Sequence, residues 1–379
     1  MSRISLKILL PLIIVVIQIQ EVFASPVVLG LKHDRHGLAE VQQGRLLVGE
    51  LMCVACHPGT DMVKKVGPNL LDVGWGVDPS FIKEFIVNPM GMDPGTQMPS
   101  LLKDLPEAKR DEVAEALTHF LVSLSAKEFV PGVAKAAEYA VGKKLFHKIG
   151  CLSCHVSERG VNLGHVPLKY GMDSLTAFLF QPLHTRPSGR MPDMNLTRDE
   201  ARAIAAYLIS PERRGGSGLK PVAVKVAAGK KYFEQFNCAS CHEMPGMKAK
   251  PSLAFENLRP GKGCLSVQPK GMPRFHLSTA QRETIGKALK GVGKPFRDKA
   301  RIQQAMVAFN CIACHTRDGA GGVSDVMFKH FGTNEEGLGN PARIPPTLDG
   351  VGVKLKPEWL RKVLFDAETV RPYMHTRMP

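Results

Sequence analysis

Eight of the nine cysteines fall in four copies of one five-residue phrase. They are CVACH (Cys53, Cys56, His57), CLSCH (Cys151, Cys154, His155), CASCH (Cys238, Cys241, His242) and CIACH (Cys311, Cys314, His315). Two thiols three residues apart lie on one side of a helical turn, where each can add to a vinyl group of one flat ring. The histidine that follows at once brings an imidazole to the centre of that ring. This is the attachment pattern of c-type haem, with the imidazole as proximal iron ligand. A lone C-x-x-C would suit half a zinc site or a redox dithiol equally well. Here no C-x-x-C lacks its histidine, so the four copies point to four covalently attached haems. Thioether formation consumes eight thiols and leaves Cys264 over, which reads as a partly buried, inert thiol.

A Met-Pro pair stands downstream of each phrase, at Met98, Met191, Met272 and Met378. A thioether is a suitable sixth ligand for low-spin haem iron, although methionine is equally a filler of cores. The surrounding frame favours the ligand reading. Six residues after the first three methionines come Asp104, Thr197 and Ser278, and three further on Glu107, Glu200 and Gln281. Those pairs spell capping boxes, each opening a helical segment. In the third copy His276 competes with Met272, while Met244 and Met247 lie too near the haem phrase and read as packing. In the fourth, Met374 competes with Met378.

The elements that must position these groups repeat as well. Glycine stands nine residues before the first cysteine at Gly44, Gly142 and Gly229, in segments that read as short helices leading into the site. Glycine within a helix is costly unless something packs close to its backbone. Phe146 and Phe233, with Val48 at the matching place, lie four residues further on. Successive first cysteines are 98, 87 and 73 residues apart, which predicts tandem modules over 40–126, 136–211, 222–292 and 296–379. The fourth departs from the frame. Its glycine position holds Ile302, a Gly/Asn/Asp-rich insert runs from Arg317 to Pro346, and no closing helix follows Met378. The expectation is a truncated sequence, or a last module completed by something else.

Each repeat resembles a class I cytochrome c domain. The segments GPNLLDVG (Gly67 to Gly74) and DPGTQMP (Asp93 to Pro99) carry that resemblance best, and PPTLDGVGVKLKPEWLRKVL (Pro345 to Leu364) echoes the first of them. The resemblance implies a mainly α chain of tandem haem domains, with short helices and long loops. It also implies that first and last helices cross closely at the glycine. By the same resemblance His57, His155, His242 and His315 are proximal ligands, and Met98, Met191, Met272 and Met378 distal ones.

The start of the chain reads as an export signal over residues 1–24. Arg3 and Lys7 precede an apolar run from Leu9 to Ile19, and Val22-Phe23-Ala24 forms a small-residue cleavage site. No other segment is apolar enough for a membrane anchor. The formal charge is +15, and losing Arg3, Lys7 and Glu21 leaves +14. Such a balance suits an acidic redox partner. Nucleic acid is excluded by export and by the lack of Lys/Arg runs interleaved with aromatics. The composite expectation is a periplasmic tetrahaem cytochrome relaying electrons. The alternatives are a peroxidase-like enzyme with one open-site haem, or the electron-transfer part of a longer redox enzyme.

Overall fold

Apolar residues at helical spacing produce ten helices of nine residues or more among the described residues of this computed structural model, which are 25–60, 62–155, 160–209, 216, 218–291 and 296–379. In chain order they are α1 (Glu40–Glu50), α2 (Pro79–Val87), α3 (Glu107–Ser123), α4 (Ala136–Lys148), α5 (Met172–Phe180), α6 (Arg198–Ile209), α7 (Ala223–Gln235), α8 (Thr279–Lys290), α9 (Asp298–Ala308) and α10 (Pro357–Phe365). Long loops and single helical turns join them, and the one two-stranded hairpin described is β1 (Thr316–Arg317) with β2 (Ala320–Gly321). The chain is mainly α. The expected signal peptide lies outside the described residues, and among those residues no helix is long and apolar enough to cross a membrane.

The three glycines do what their spacing asked. A Cβ on Gly142 of α4 would lie 1.8 Å from the Ala203 carbonyl oxygen of α6. Gly44 of α1 meets the Thr284 carbonyl of α8 in the same way, and Gly229 of α7 meets that of Ala116 in α3. Backbone thus lies on backbone, which no residue with a side chain permits. Phe146, Phe233 and Val48 are all buried one turn on.

The partners in these crossings are not uniformly local. α4 and α6 both belong to 136–211, but α1 packs on α8, and α7 packs on α3. The leading helix of 40–126 therefore closes against the last helix of 222–292, and the reverse. The cores follow this exchange. Leu46, Leu47, Val48 and Val54 share one with Phe255, Leu277 and Ile285. Val113, Leu117 and Phe120 share another with Phe233 and Met244. A third, built on Phe146, Leu175 and Ile204, keeps its buried residues within 136–211, with Val77 and Ala134 packed against them.

Two of the expected capping boxes form. Thr197 Oγ accepts from Glu200 N at 3.2 Å while Glu200 accepts from Thr197 N at 3.0 Å. Ser278 and Gln281 do the same at 3.2 and 3.0 Å. Asp104 is not a cap: Pro106, two residues later, takes the N-cap position of α3. The Asp104 carboxylate instead accepts from Gly271 N at 2.7 Å, tying together the segments around the first and third Met-Pro pairs.

At α9, where the leading glycine is missing, the crossing segment supplies it. Gly30, in the turn Leu29–Lys32, lies with its α-carbon against the Val307 carbonyl, where a Cβ would come within 2.0 Å. Gln303 Nε2 then donates to Gly37 O at 2.7 Å and Gln42 Nε2 to Ala300 O at 3.2 Å. The insert 317–346 is mostly loop as read, yet it buries Phe331 and returns the Gly321–Gly322 corner onto Ile312. The final phrase docks on the stretch 136–211, with Arg377 N donating to Ile149 O at 3.1 Å and its guanidinium paired with Glu200 at 2.6 Å.

Candidate functional site

All four C-x-x-C-H phrases share one backbone geometry. The residue before the first cysteine is left-handed in each: Met52 (φ 55°), Gly150 (111°), Asn237 (55°) and Asn310 (57°). That residue ends the leading helix and swings the chain into a single new turn. The turn is closed by the histidine N–H, which donates to the carbonyl of the first cysteine at 2.9–3.0 Å in every copy. This position was not singled out from sequence, although Gly150, Asn237 and Asn310 are residues that tolerate such backbone. Met52 carries no such signal.

Each histidine is then locked by a second bond. Nδ1 contacts a backbone carbonyl: Leu253 at 2.9 Å for His57, Val161 at 3.2 Å for His155, Pro68 at 3.0 Å for His242 and Pro346 at 2.7 Å for His315. A carbonyl can only accept, so Nδ1 carries the proton and Nε2 keeps its lone pair. Burial pushes His155, His242 and His315 below the ordinary imidazole range, which keeps them neutral. A neutral imidazole with its second nitrogen held by a carbonyl is the state in which histidine binds a metal.

No disulfide joins any of the nine cysteines. Burial pushes Cys53, Cys151, Cys238 and Cys314 up to about 12, so these thiols stay protonated. The eight thiols of the phrases and their four histidines line one branched, mainly apolar cavity of about 2280 Å³. A site for one drug-sized ligand is ~300–1,000 Å³, so this volume suits several large groups. Met98, Met191, Met272 and Met378 line it too, as do Met374 and Cys264. His276 does not line the cavity, and its Nε2 is engaged by Ser100 Oγ at 2.8 Å. Met244 is buried in the core beside Phe233, as read, and Met247 packs against it.

The phrases lie in two reciprocal pairs. Cys56 Sγ approaches Ser240 Oγ at 3.3 Å, bringing the first and third together. Cys314 Sγ approaches Ser153 Oγ at 3.9 Å and Asn310 Nδ2 reaches Cys154 Sγ at 3.5 Å, bringing the second and fourth together. In each pair the second cysteine of one copy meets the serine of the other, so the two contacts are equivalent. Arg190 joins the pairs. Its guanidinium donates to both carboxylate oxygens of the buried Glu50, just before the first phrase, and lies 4.8 Å over Phe309, just before the fourth.

A cationic cluster projects into the same cavity. Lys169 is 8% exposed and is held over the Phe81, Phe85 and Tyr170 rings at 5.2–5.9 Å. Arg186 donates to Tyr170 Oη at 3.3 Å. Among the described residues His165 Nδ1 has no hydrogen-bond partner; burial pushes this imidazole down to about 4, against the pull of the Asp93 carboxylate 3.7 Å away. With Asp93 as the nearby carboxylate, Lys169 and Arg186 leave room for further negative charge. His36 accepts from Leu38 N, while His33 accepts from Arg35 N and turns Nε2 to Gly322 O at 3.1 Å.

Comparison of the chain with family models, with curated proteins and with solved structures found no match.

Proposed function

We propose that this chain is a tetrahaem c-type cytochrome, exported to the periplasm, that relays electrons between redox partners. The observation that carries the reading is the fourfold coincidence of two unpaired thiols and one imidazole, with Nε2 free, on a shared cavity wall. The donor set fits haem c: two thiols for the thioethers and one neutral nitrogen for the iron. When bound, such a group supplies one-electron redox chemistry. The chain's own part is to fix the imidazoles through the four carbonyls, to keep the ring edges dry and to present a thioether from Met98, Met191, Met272 or Met378. Lys169 and Arg186, both on the cavity wall, suit the carboxylates of the propionates.

Mass spectrometry of mature protein from cells able to attach haem tests this directly. Four haem additions are expected. A protein that keeps free thiols and takes up no haem overturns the proposal.

Met272 and Met378 are 51% and 45% exposed, which favours a second reading in which one iron has a displaceable sixth ligand and performs peroxidase-like chemistry. Carbon monoxide separates the two. A relay with every iron six-coordinate leaves carbon monoxide unbound, whereas one ligand-binding haem with peroxide turnover supports the enzyme.

A further inference from the structure

We infer that the first and third haem sites are built across each other, so that His57 takes its distal methionine from the third stretch, Met272, and His242 from the first, Met98. This rests on the haem reading above and adds the pairing, which runs against the order of the chain.

Four sets of contacts carry it. The carbonyl that orients His57 belongs to Leu253, and the carbonyl that orients His242 belongs to Pro68. Backbone bonds repeat the exchange: Ser252 N donates to Cys56 O at 2.9 Å, and Gly67 N donates to Cys241 O at 2.6 Å. The closing helices are exchanged as well, with Gly44 on Thr284 and Gly229 on Ala116. Finally, the residues beside each methionine pack with the other stretch's motif. Phe275 and Leu277, just after Met272, share a core with Leu47 and Cys53. Leu101 and Leu102, just after Met98, share one with Phe233 and Cys238.

The two methionine segments meet at the point where they cross. Ser100 N donates to Arg274 O at 2.9 Å and Arg274 N to Ser100 O at 3.0 Å, each two residues past its methionine. This antiparallel bridge relates the two halves by a local twofold, the arrangement of a swapped dimer contained in one chain. The 41 residues from His57 to Met98 and the 30 from His242 to Met272 therefore span from one site into the other instead of wrapping the ring beside them.

The test uses full-length, haem-loaded protein and the absorption band of methionine bound to ferric haem. In a background lacking the first haem (Cys53→Ser with Cys56→Ser), Met272→Ala should leave the band unchanged. Met98→Ala in that background should lower it by about one third. The opposite assignment, loss with Met272→Ala and none with Met98→Ala, overturns the inference while leaving the haem reading intact. A band that responds to neither substitution in the four-haem protein overturns methionine ligation itself, and with it this pairing. If the three-haem background fails to fold, a cross-link replaces it. A Cβ on Gly291 would lie 3.7 Å from Val41 Cγ1, so Val41→Cys with Gly291→Cys, in Cys264→Ser protein, should oxidise to a disulfide. A linked peptide joining positions 41 and 291 is expected. Two free thiols under the same oxidation overturn the exchanged packing.

Discussion

A carbonyl bonded to Nδ1 decides what each motif histidine can do, because it leaves one nitrogen with one lone pair for the cavity. The histidines and thiols were legible from five-residue phrases, since their chemistry demands fixed spacing. Their carbonyl partners were not, because Leu253 and Pro68 are brought in from 196 and 174 residues away. The glycines were legible at the same scale for a different reason: a helix tolerates one only where backbone approaches it. Gly142→Ala tests that. Better helix propensity would add ~0.5–1 kcal/mol, but a Cβ 1.8 Å from the Ala203 oxygen forces α4 and α6 apart, an overpacking of ~1–3 kcal/mol or more. The expected result is a lower denaturant midpoint. Gly352→Ala, whose Cβ meets nothing within 4 Å, should leave the midpoint unchanged or slightly raised.

At the scale of elements, the sequence located the leading helices α1, α4 and α7, the closing helices α3, α6 and α8, and two of three capping boxes, but it missed α2 and α5 and did not determine the partners. The frames of 40–126 and 222–292 are so alike that α3 and α8 each suit either leading helix by pattern. What selects the exchanged partners is tertiary: α7 matches α3 through Phe120 against Phe233, with ring centres 5.6 Å apart, and through Lys225 paired with Glu115. Pro106 shows a similar limit, since it outranks the Asp104 cap by fixing where α3 begins. The local α4–α6 pair offers a pH-dependent test. Arg202 bonds Glu138 at 2.9 Å and holds its carboxyl below the ordinary carboxylate range. A depressed folded value means that the pair stabilises above the unfolded carboxylate range, and that this contribution fades as pH falls through the folded one. The pair is partly exposed, so its worth is at most about 1 kcal/mol. Arg202→Ala should therefore lower stability at pH 7 by that order, with the gap from the parent closing below about pH 4. A gap that stays constant from pH 7 to pH 3 would show that Arg202 acts through packing alone.

For the whole molecule, the pairing of motifs sets the layout of the proposed relay. The first and third sites touch, the second and fourth touch, and Arg190 lies between the pairs, so the order in space differs from the order in the chain. What leaves the molecule must then cross its surface, and the chain without residues 1–24 carries +14. Each ferric haem with two ionised propionates brings one net negative charge and each ferrous haem two. On the proposed haem content, four of them would leave about +10 oxidised and about +6 reduced. The surface thus stays cationic in both states, but less so after electrons arrive. Electron exchange with a small anionic reagent should slow several-fold as ionic strength rises from ~0.01 M to ~0.1 M, where the Debye length shrinks from ~30 Å to ~10 Å. A neutral reagent should show no such slope. Because the reduced protein holds less positive charge, oxidation by an anionic acceptor should depend on salt less steeply than reduction by an anionic donor of the same charge. Stopped-flow rates over that range decide it. Equal slopes would mean that the reagents dock on a patch whose charge the haems do not alter, and a rate that climbs with salt would rule out an acidic partner.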